Sequence, residues 1–298
     1  MSKLGKAWSL MGSLKDVKRV RKEFDDSSRA MPPELAFPPD EVRPPTTDAR
    51  TVLLRVVNGG SAQDDAFAII HVPASKSSLS VLVLNPRTII EAGITLGQLT
   101  DESGDAITVA IVEDILRVRI DHVLHLGADA LVRIVGSLGP LAVYSRGGFA
   151  AFGHEFTEGT NHLDASSAGA FFTADPIDDA GQTRTRNQRS LLRSLIAAID
   201  VRQLAGDSDA LVDLLQTFVN GARRDQGLTS DHVVGLATDL RNLGREAVTT
   251  ITIPAQSTRH DDGAVTVQFI AEGLTGLRTA IGSGTPGETV AALAARGF

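Results

Sequence analysis

Apolar positions along this chain follow two rhythms. Thr51–Val57, Ala66–Val72 and Ser80–Leu84 are β-branched, apolar runs separated by turn residues such as Asn58-Gly59-Gly60, and they predict three strands. Asp105–Val118 changes to helical spacing, with Ile107, Ala110, Ile111 and Ile115 on one side. Asp121–Leu126 then reads as a strand, Asp129–Ser137 as a helix and Leu141–Tyr144 as a strand. Helices are expected at Ala165–Phe172, Arg186–Ile199, Ser208–Ala222 and Asp231–Leu243. Strands follow at Val248–Ile253 and Val265–Ile270, with a helix from Glu272. Strands and helices interspersed in this way predict an α/β domain with a layered, mixed sheet.

The ends of the chain have a different texture. In residues 1–24, Leu4, Trp8, Met11, Leu14, Val17 and Val20 recur at helical spacing among seven basic and two acidic residues. That segment carries +5 in a chain whose total is −7, so the remainder is near −12. A basic amphipathic helix of this kind suits contact with an anionic membrane surface or a partner. Packing on its own domain is the alternative, and Gly5 and Gly12 weaken it as a helix. Residues 25–49 hold six of the twelve prolines, paired at Pro32-Pro33, Pro38-Pro39 and Pro44-Pro45, and read as an extended linker. The folded domain is expected over residues 50–281, and 282–298 form a tail in which Glu288–Arg296 has helical character.

Composition narrows the chemistry. The 298 residues include no cysteine, which removes disulfides, thiol nucleophiles and Cys-ligated metals. The seven histidines lack zinc-ligand spacing; His122 and His125 fall in one strand, where they point to opposite faces. No run reaches the roughly 20 apolar residues that span a bilayer, and residues 1–24 lack the apolar block of a signal peptide. As the chain stands, this favours a cytoplasmic or membrane-peripheral location. An acidic body with one Trp, one Tyr and no groove-binding motif argues against a nucleic-acid partner.

The most suggestive chemistry is Arg184-Thr185-Arg186-Asn187-Gln188-Arg189, three arginines in six residues at a helix start. Helix N-termini favour anions, and guanidinium groups match phosphate oxygens. The competing reading is a solvated helix face opposite the apolar Leu191, Leu192, Leu195 and Ile196.

Several local patterns also occur in a particular order. They are Asp64-Asp65 entering a strand, Asn85-Pro86-Arg87-Thr88 leaving the next, and Ile120-Asp121-His122. After them come Leu131…Ile134-Val135…Leu138-Gly139, Leu163-Asp164 heading a helix, and Arg184…Gln188 heading another. From about Arg50 to Ile281 the chain thereby resembles the LytR-CpsA-Psr family of cell-envelope proteins. The resemblance implies an α-β-α sandwich with a central mixed sheet and a groove for a polyprenyl-(pyro)phosphate-linked glycan. It also implies a phosphotransferase that moves a phosphoglycan from its lipid carrier to peptidoglycan, a membrane-anchored, extracytoplasmic location, and bound Mg²⁺. By this resemblance Asp65 is the metal ligand, and Arg87 and Arg184 are the catalytic and phosphate-binding arginines. Gln188 belongs to the substrate site, with Arg186 as a further candidate. Departures are visible: Gln63 and Asn187 stand where the resemblance expects arginines, Thr88 where it expects an aspartate, and Thr173 and Asp175 occupy positions where two arginines are usual. Asp178 and Asp179 are candidates for an acidic residue near the same loop. These departures imply, as the alternative, a catalytically degenerate lipid-phosphate-binding or protein-interaction module.

Overall fold

The computed structural model describes residues 16–26, 30–198, 219–240 and 243–283, together with positions 212, 216, 217, 289, 292, 293, 295 and 296. Seven strands make a mixed sheet in the spatial order β1 (Ala30–Met31), β12 (Ala222–Asp225), β7 (His122–Gly127), β2 (Arg50–Val57), β3 (Ala66–Val72), β4 (Leu79–Leu84) and β13 (Val248–Thr252). Four two-stranded pieces accompany it. They pair β5 (Ile89–Glu91) with β6 (Ile94–Thr95), β8 (Leu141–Ser145) with β11 (Gly159–Leu163), β9 (Phe149–Ala151) with β10 (His154–Phe156), and β14 (Ala255–Arg259) with β15 (Val265–Phe269).

Side-chain alternation divides the apolar strands between two cores. Leu53, Phe67, Ile69, Leu82 and Leu84 face α1 (Leu96–Ser103), α2 (Asp105–Leu116) and α7 (Ala271–Gly282). Leu54, Val56, Ala68, Val81 and Val83 face α3 (Ala128–Leu138), α4 (Ala165–Thr173) and α5 (Gln182–Ala198). With both faces buried, β3 and β4 are apolar almost throughout, and the architecture is an α-β-α sandwich. α6 (Ser230–Leu240) lies on the α5 side of the sheet, where its Leu236 and Leu240 pack against the second core.

The strand register sets the site. β2 and β4 both run antiparallel to β3, so the ends of β2 and β4 and the start of β3 share one rim of the sheet. His122 and His125 lie on opposite faces of β7, as the strand period demands. His122 sits near Asp225, and His125 Nε2 is 2.9 Å from Asp105 Oδ1.

Residues 25–49 depart from the expected linker. Met31 joins the sheet beside Asp225, and Met31 and Ala36 are buried in the core. Arg43 reaches Glu113 on α2 with Nη2 2.8 Å from Oε1, stacks on Phe37, and fixes the proline-rich stretch to the domain. The prolines supply extended geometry, but apolar contacts and this buried ion pair dock the segment. Of the N-terminal helix, the described part also packs inward: Val20 and Phe24 are buried against Val212, Val219 and Val233. The rest of that segment, most of the expected helix 208–222, and four of the nine positions of the tail helix Glu288–Arg296 lie outside the described residues. Ala222, expected to close a helix, instead opens β12. No helix among the described residues is long and apolar enough to cross a membrane.

Candidate functional site

Two turns and one helix build the site at that rim. After β4, Asn85 accepts the backbone N–H of Arg87 at 2.9 Å and closes an Asx-type turn that projects Arg87. The Asn85 amide also donates to the Ala180 carbonyl at 3.0 Å, tying this turn to the loop before α5. On the second turn, Ser61 caps a short 3₁₀ segment, Ala62–Asp64, which delivers Asp64 and Asp65 to the start of β3. Gly97 of α1 sits against it: a Cβ there would lie 2.7 Å from the Gln63 nitrogen, so only glycine permits this approach. α5 is started by Asp179, whose carboxylate accepts the Thr183 N–H and hydroxyl. Gly181 precedes it at φ +77°, a left-handed conformation suited to glycine, and a Cβ there would lie 3.3 Å from the Arg184 guanidinium.

Arg87 and Arg184, far apart in sequence, converge on one oxygen. Arg87 Nη2 donates to Asp64 Oδ1 at 3.0 Å and Arg184 Nη1 donates to the same oxygen at 2.9 Å. Arg184 Nη2 also donates to the Gln63 carbonyl at 2.7 Å. Asp175, in the loop after α4, places Oδ2 3.0 Å from Arg87 Nη1 and 3.8 Å from Arg184 Nη1. The four side chains carry two positive and two negative charges. Burial works to raise the Asp64 pKa, but hydrogen bonds and charge from Arg184 and Arg87 outweigh it and hold the carboxyl below its usual range. Arg184 is almost enclosed, with 4% of its side chain exposed, whereas Asp64 keeps 44%. A ligand can therefore approach the pair from the Asp64 side.

The other expected site residues separate from this group. Asp65, not Asp64, was the expected metal ligand, yet it is 1% exposed and both its oxygens are engaged. Arg55 Nε donates to Oδ2 at 2.6 Å and the Asn58 N–H to Oδ1 at 2.8 Å. A guanidinium thus occupies the position a cation would take, and no cluster of three metal-ligating side chains occurs among the described residues. The residues around Asp65 do not fit a divalent ion. Gln188 is buried one turn beyond Arg184; its amide reaches the Phe172 carbonyl at 3.4 Å and its Oε1 has no protein partner. It connects α5 to α4 rather than facing Asp64. Arg186 stands on the opposite side of the helix from Arg184, about 200° around it. Thr173 donates its hydroxyl to the Gly169 carbonyl inside α4, Asp178 pairs with Arg259, and Asp179 caps α5. The acidic residue of this loop that enters the site is therefore Asp175. Sequence reading placed it where the resemblance expects an arginine, and the carboxylate there instead pairs with Arg87 and Arg184.

A mainly apolar cavity of about 450 Å³ is lined by Phe24, Val52, Ile70, Leu124, Leu228 and Leu236 among others. It opens at the start of β2 and β7, the rim opposite the arginine pair, so it does not end at Arg87 and Arg184.

The fold and the site together define a three-layer α-β-α protein with paired arginines at one rim of a mixed sheet. The chain matches the LytR_cpsA_psr family over residues 48–277, and it belongs to that family. Solved structures agree on the fold. The gbs0355 protein of Streptococcus agalactiae matches with TM-score 0.63 and 15% identity, covering 80% of this chain and 88% of that one. TagV of B. subtilis matches with TM-score 0.58 and 12% identity over 81% and 99%. TagT, solved bound to LI-WTA, matches with TM-score 0.59 and 15% identity over 80% and 92%. No curated protein sequence matches the chain.

Proposed function

We propose that this protein binds a polyprenyl-(pyro)phosphate-linked glycopolymer of the cell envelope and receives its phosphates between Arg87 and Arg184. Membership of the family supports a cell-envelope, glycopolymer-related function, and the TagT relative was solved bound to LI-WTA. The observation that carries the reading is the convergence of Arg87 and Arg184 on Asp64 Oδ1. Two guanidinium groups aimed at one oxygen offer several N–H donors to a phosphate that displaces the carboxylate. Transfer would require more. An acceptor hydroxyl attacks phosphorus and gives up its proton to solvent, the bridging P–O bond breaks, and polyprenyl phosphate leaves with its negative charge, which demands cations at the bridging oxygen.

A second reading, a catalytically silent binder, is favoured by Asp175 and Arg55. Asp175 cancels charge where the family resemblance expects arginine, and Arg55 neutralises Asp65 without a metal. Each lost charge-assisted contact costs about 1.5–3 kcal/mol, so two amount to roughly two to four decades in binding or rate. On this second reading, charge neutralisation falls to arginine, a reading that the Arg55–Asp65 pair supports. The experiment is release of polyprenyl phosphate from a lipid-pyrophosphate glycan, followed with Mg²⁺ and with chelator, beside direct binding of the same substrate. Binding that disappears in Arg184→Ala supports the reading. Turnover identifies a transferase, binding without turnover the silent module, and binding indifferent to Arg184→Ala contradicts both.

A further inference from the structure

The loop between α4 and α5, residues 174–181, is gripped at two of its carboxylates. Asp175 Oδ2 lies 3.0 Å from Arg87 Nη1. Three residues on, Asp178 Oδ2 accepts from both Nη atoms of Arg259, at the end of β14, at 3.2 Å each. Arg259 Nη2 also donates to the Asp178 carbonyl at 2.7 Å. The Arg259 guanidinium is steadied by its own hairpin, where Nη1 donates to the Gly263 carbonyl at 2.9 Å. Both gripping arginines are carried by one body. Thr88, next to Arg87, forms a β-bridge to Val267 of β15, and both residues are fully buried. The β14–β15 hairpin is thus fixed to the turn that projects Arg87.

Apolar burial does not hold the middle of the loop. Ile177, between the two gripped carboxylates, is 56% exposed. At the α5 end the loop is pinned, because the Asn85 amide donates to the Ala180 carbonyl at 3.0 Å. Ala180 and Gly181 there are consecutive left-handed residues, at φ +53° and +77°, and reverse the chain into the helix. The stretch 175–178 therefore keeps its inward position through its ion pairs. We infer that Arg259 is a positioning residue for the arginine pocket: by holding Asp178 it keeps Asp175 on Arg87 and Arg184, and so sets how readily a pyrophosphate gains those arginines. The inference rests on the phosphate-binding reading of that pocket. Asp178 and Arg259 are exposed over 80% and 56% of their side chains, and exposed pairs contribute modestly, so Arg259 tunes access to the pocket without closing it. The sign of its effect is diagnostic. By simple electrostatics, removing a cation beside an anion site weakens anion binding. Acting through the loop, its removal strengthens that binding.

The test uses the full chain and farnesyl pyrophosphate, titrated by calorimetry. Arg259→Ala is expected to tighten binding about threefold, and Asp178→Asn to do the same from the other side of the pair. In an Asp175→Asn background the gain from Arg259→Ala should vanish, because no carboxylate remains to be released. A merely structural effect of Arg259 would persist there. Unchanged or weaker binding in Arg259→Ala, or an equal gain in the Asp175→Asn background, overturns the inference. Arg184→Ala separates this failure from that of the underlying reading. If Arg184→Ala abolishes binding while Arg259→Ala changes nothing, the pocket stands and only the role of Arg259 falls. If Arg184→Ala changes nothing, the pocket reading fails and takes the inference with it. A ligand-free readout completes the test: amide hydrogen exchange over residues 177–181 should be faster in Arg259→Ala than in wild type, and equal exchange would show that Arg259 does not hold the loop.

Discussion

Arg184 and Arg189 belong to the same helix, yet Arg184 is buried against the carboxylates of Asp64 and Asp175, whereas Arg189 is half-buried on the other side with no carboxylate partner among the described residues. The first arrangement is internally neutral and structurally satisfied. The second leaves a buried donor, the Arg189 Nη1, without a protein partner. Helical geometry causes the division, because residues two and five positions beyond Arg184 rotate to the far side while Gln188, Leu191 and Leu195 stay on the near side. The comparison teaches that an arginine-rich stretch is not one site. Its anion affinity is decided by the carboxylates that the tertiary fold brings to each face.

The largest way to sharpen the contrast is to reverse the charge at the neutral pocket. Asp175→Arg removes the carboxylate facing Arg87 and adds a cation, and should raise affinity for a polyprenyl pyrophosphate by about 3–6 kcal/mol, two to four decades, read by calorimetry. An unchanged Kd would show that Asp175 does not compete with the ligand. Arg184→Ala should act in the opposite direction, by about ten- to a hundredfold, whereas Arg189→Ala should leave the same affinity unchanged. Equal losses from the two would collapse the distinction between the faces. A smaller effect concerns stability. Arg189→Met removes a half-buried guanidinium whose Nη1 has no protein partner and should raise Tm by about 2–4 °C, corresponding to roughly 1 kcal/mol.

The smallest expected effect is one of pH. Asp64 has a folded-state pKa below its usual 3.8, so its contribution to stability is present above that value and is lost only as pH falls through the depressed one. Between pH 8 and pH 5 the self-pairing of the pocket should not relax. Affinity for a non-titrating sulfonate analogue is therefore expected to stay flat over that window, and a rise toward pH 5 would place the Asp64 titration in the wrong range.

Much of the scaffold was legible because local rules and tertiary structure agree. Strands β2, β3 and β4 announce themselves as apolar runs with turn residues between them, and Asn85-Pro86-Arg87 reads as a turn because Asn and Pro favour one. Charged β12 was hidden: Arg224 and Asp225 are buried in a strand, which apolar patterning does not suggest. Arg224 is held by the Phe24 ring and carbonyl, and Asp225 by the Val123 and Leu228 N–H groups. Within the site, the arginines were readable but their partners were not. Asp64 and Asp65 are adjacent, and only the passage from the 3₁₀ turn into β3 turns one toward Arg87 and the other toward Arg55. The Asp175 contact depends on how the loop between α4 and α5 closes, a long-range fact with no local signature.

The central claim is that Arg87 and Arg184 form a pyrophosphate-binding pocket held neutral by its own carboxylates. Calorimetric titration of farnesyl pyrophosphate into Asp175→Asn and into Asp175→Asn/Arg184→Ala tests it most directly. The account predicts that the single variant binds more tightly than wild type by about tenfold and that the added Arg184→Ala abolishes the gain. A single variant that binds no better than wild type, or a gain that survives removal of Arg184, would contradict it.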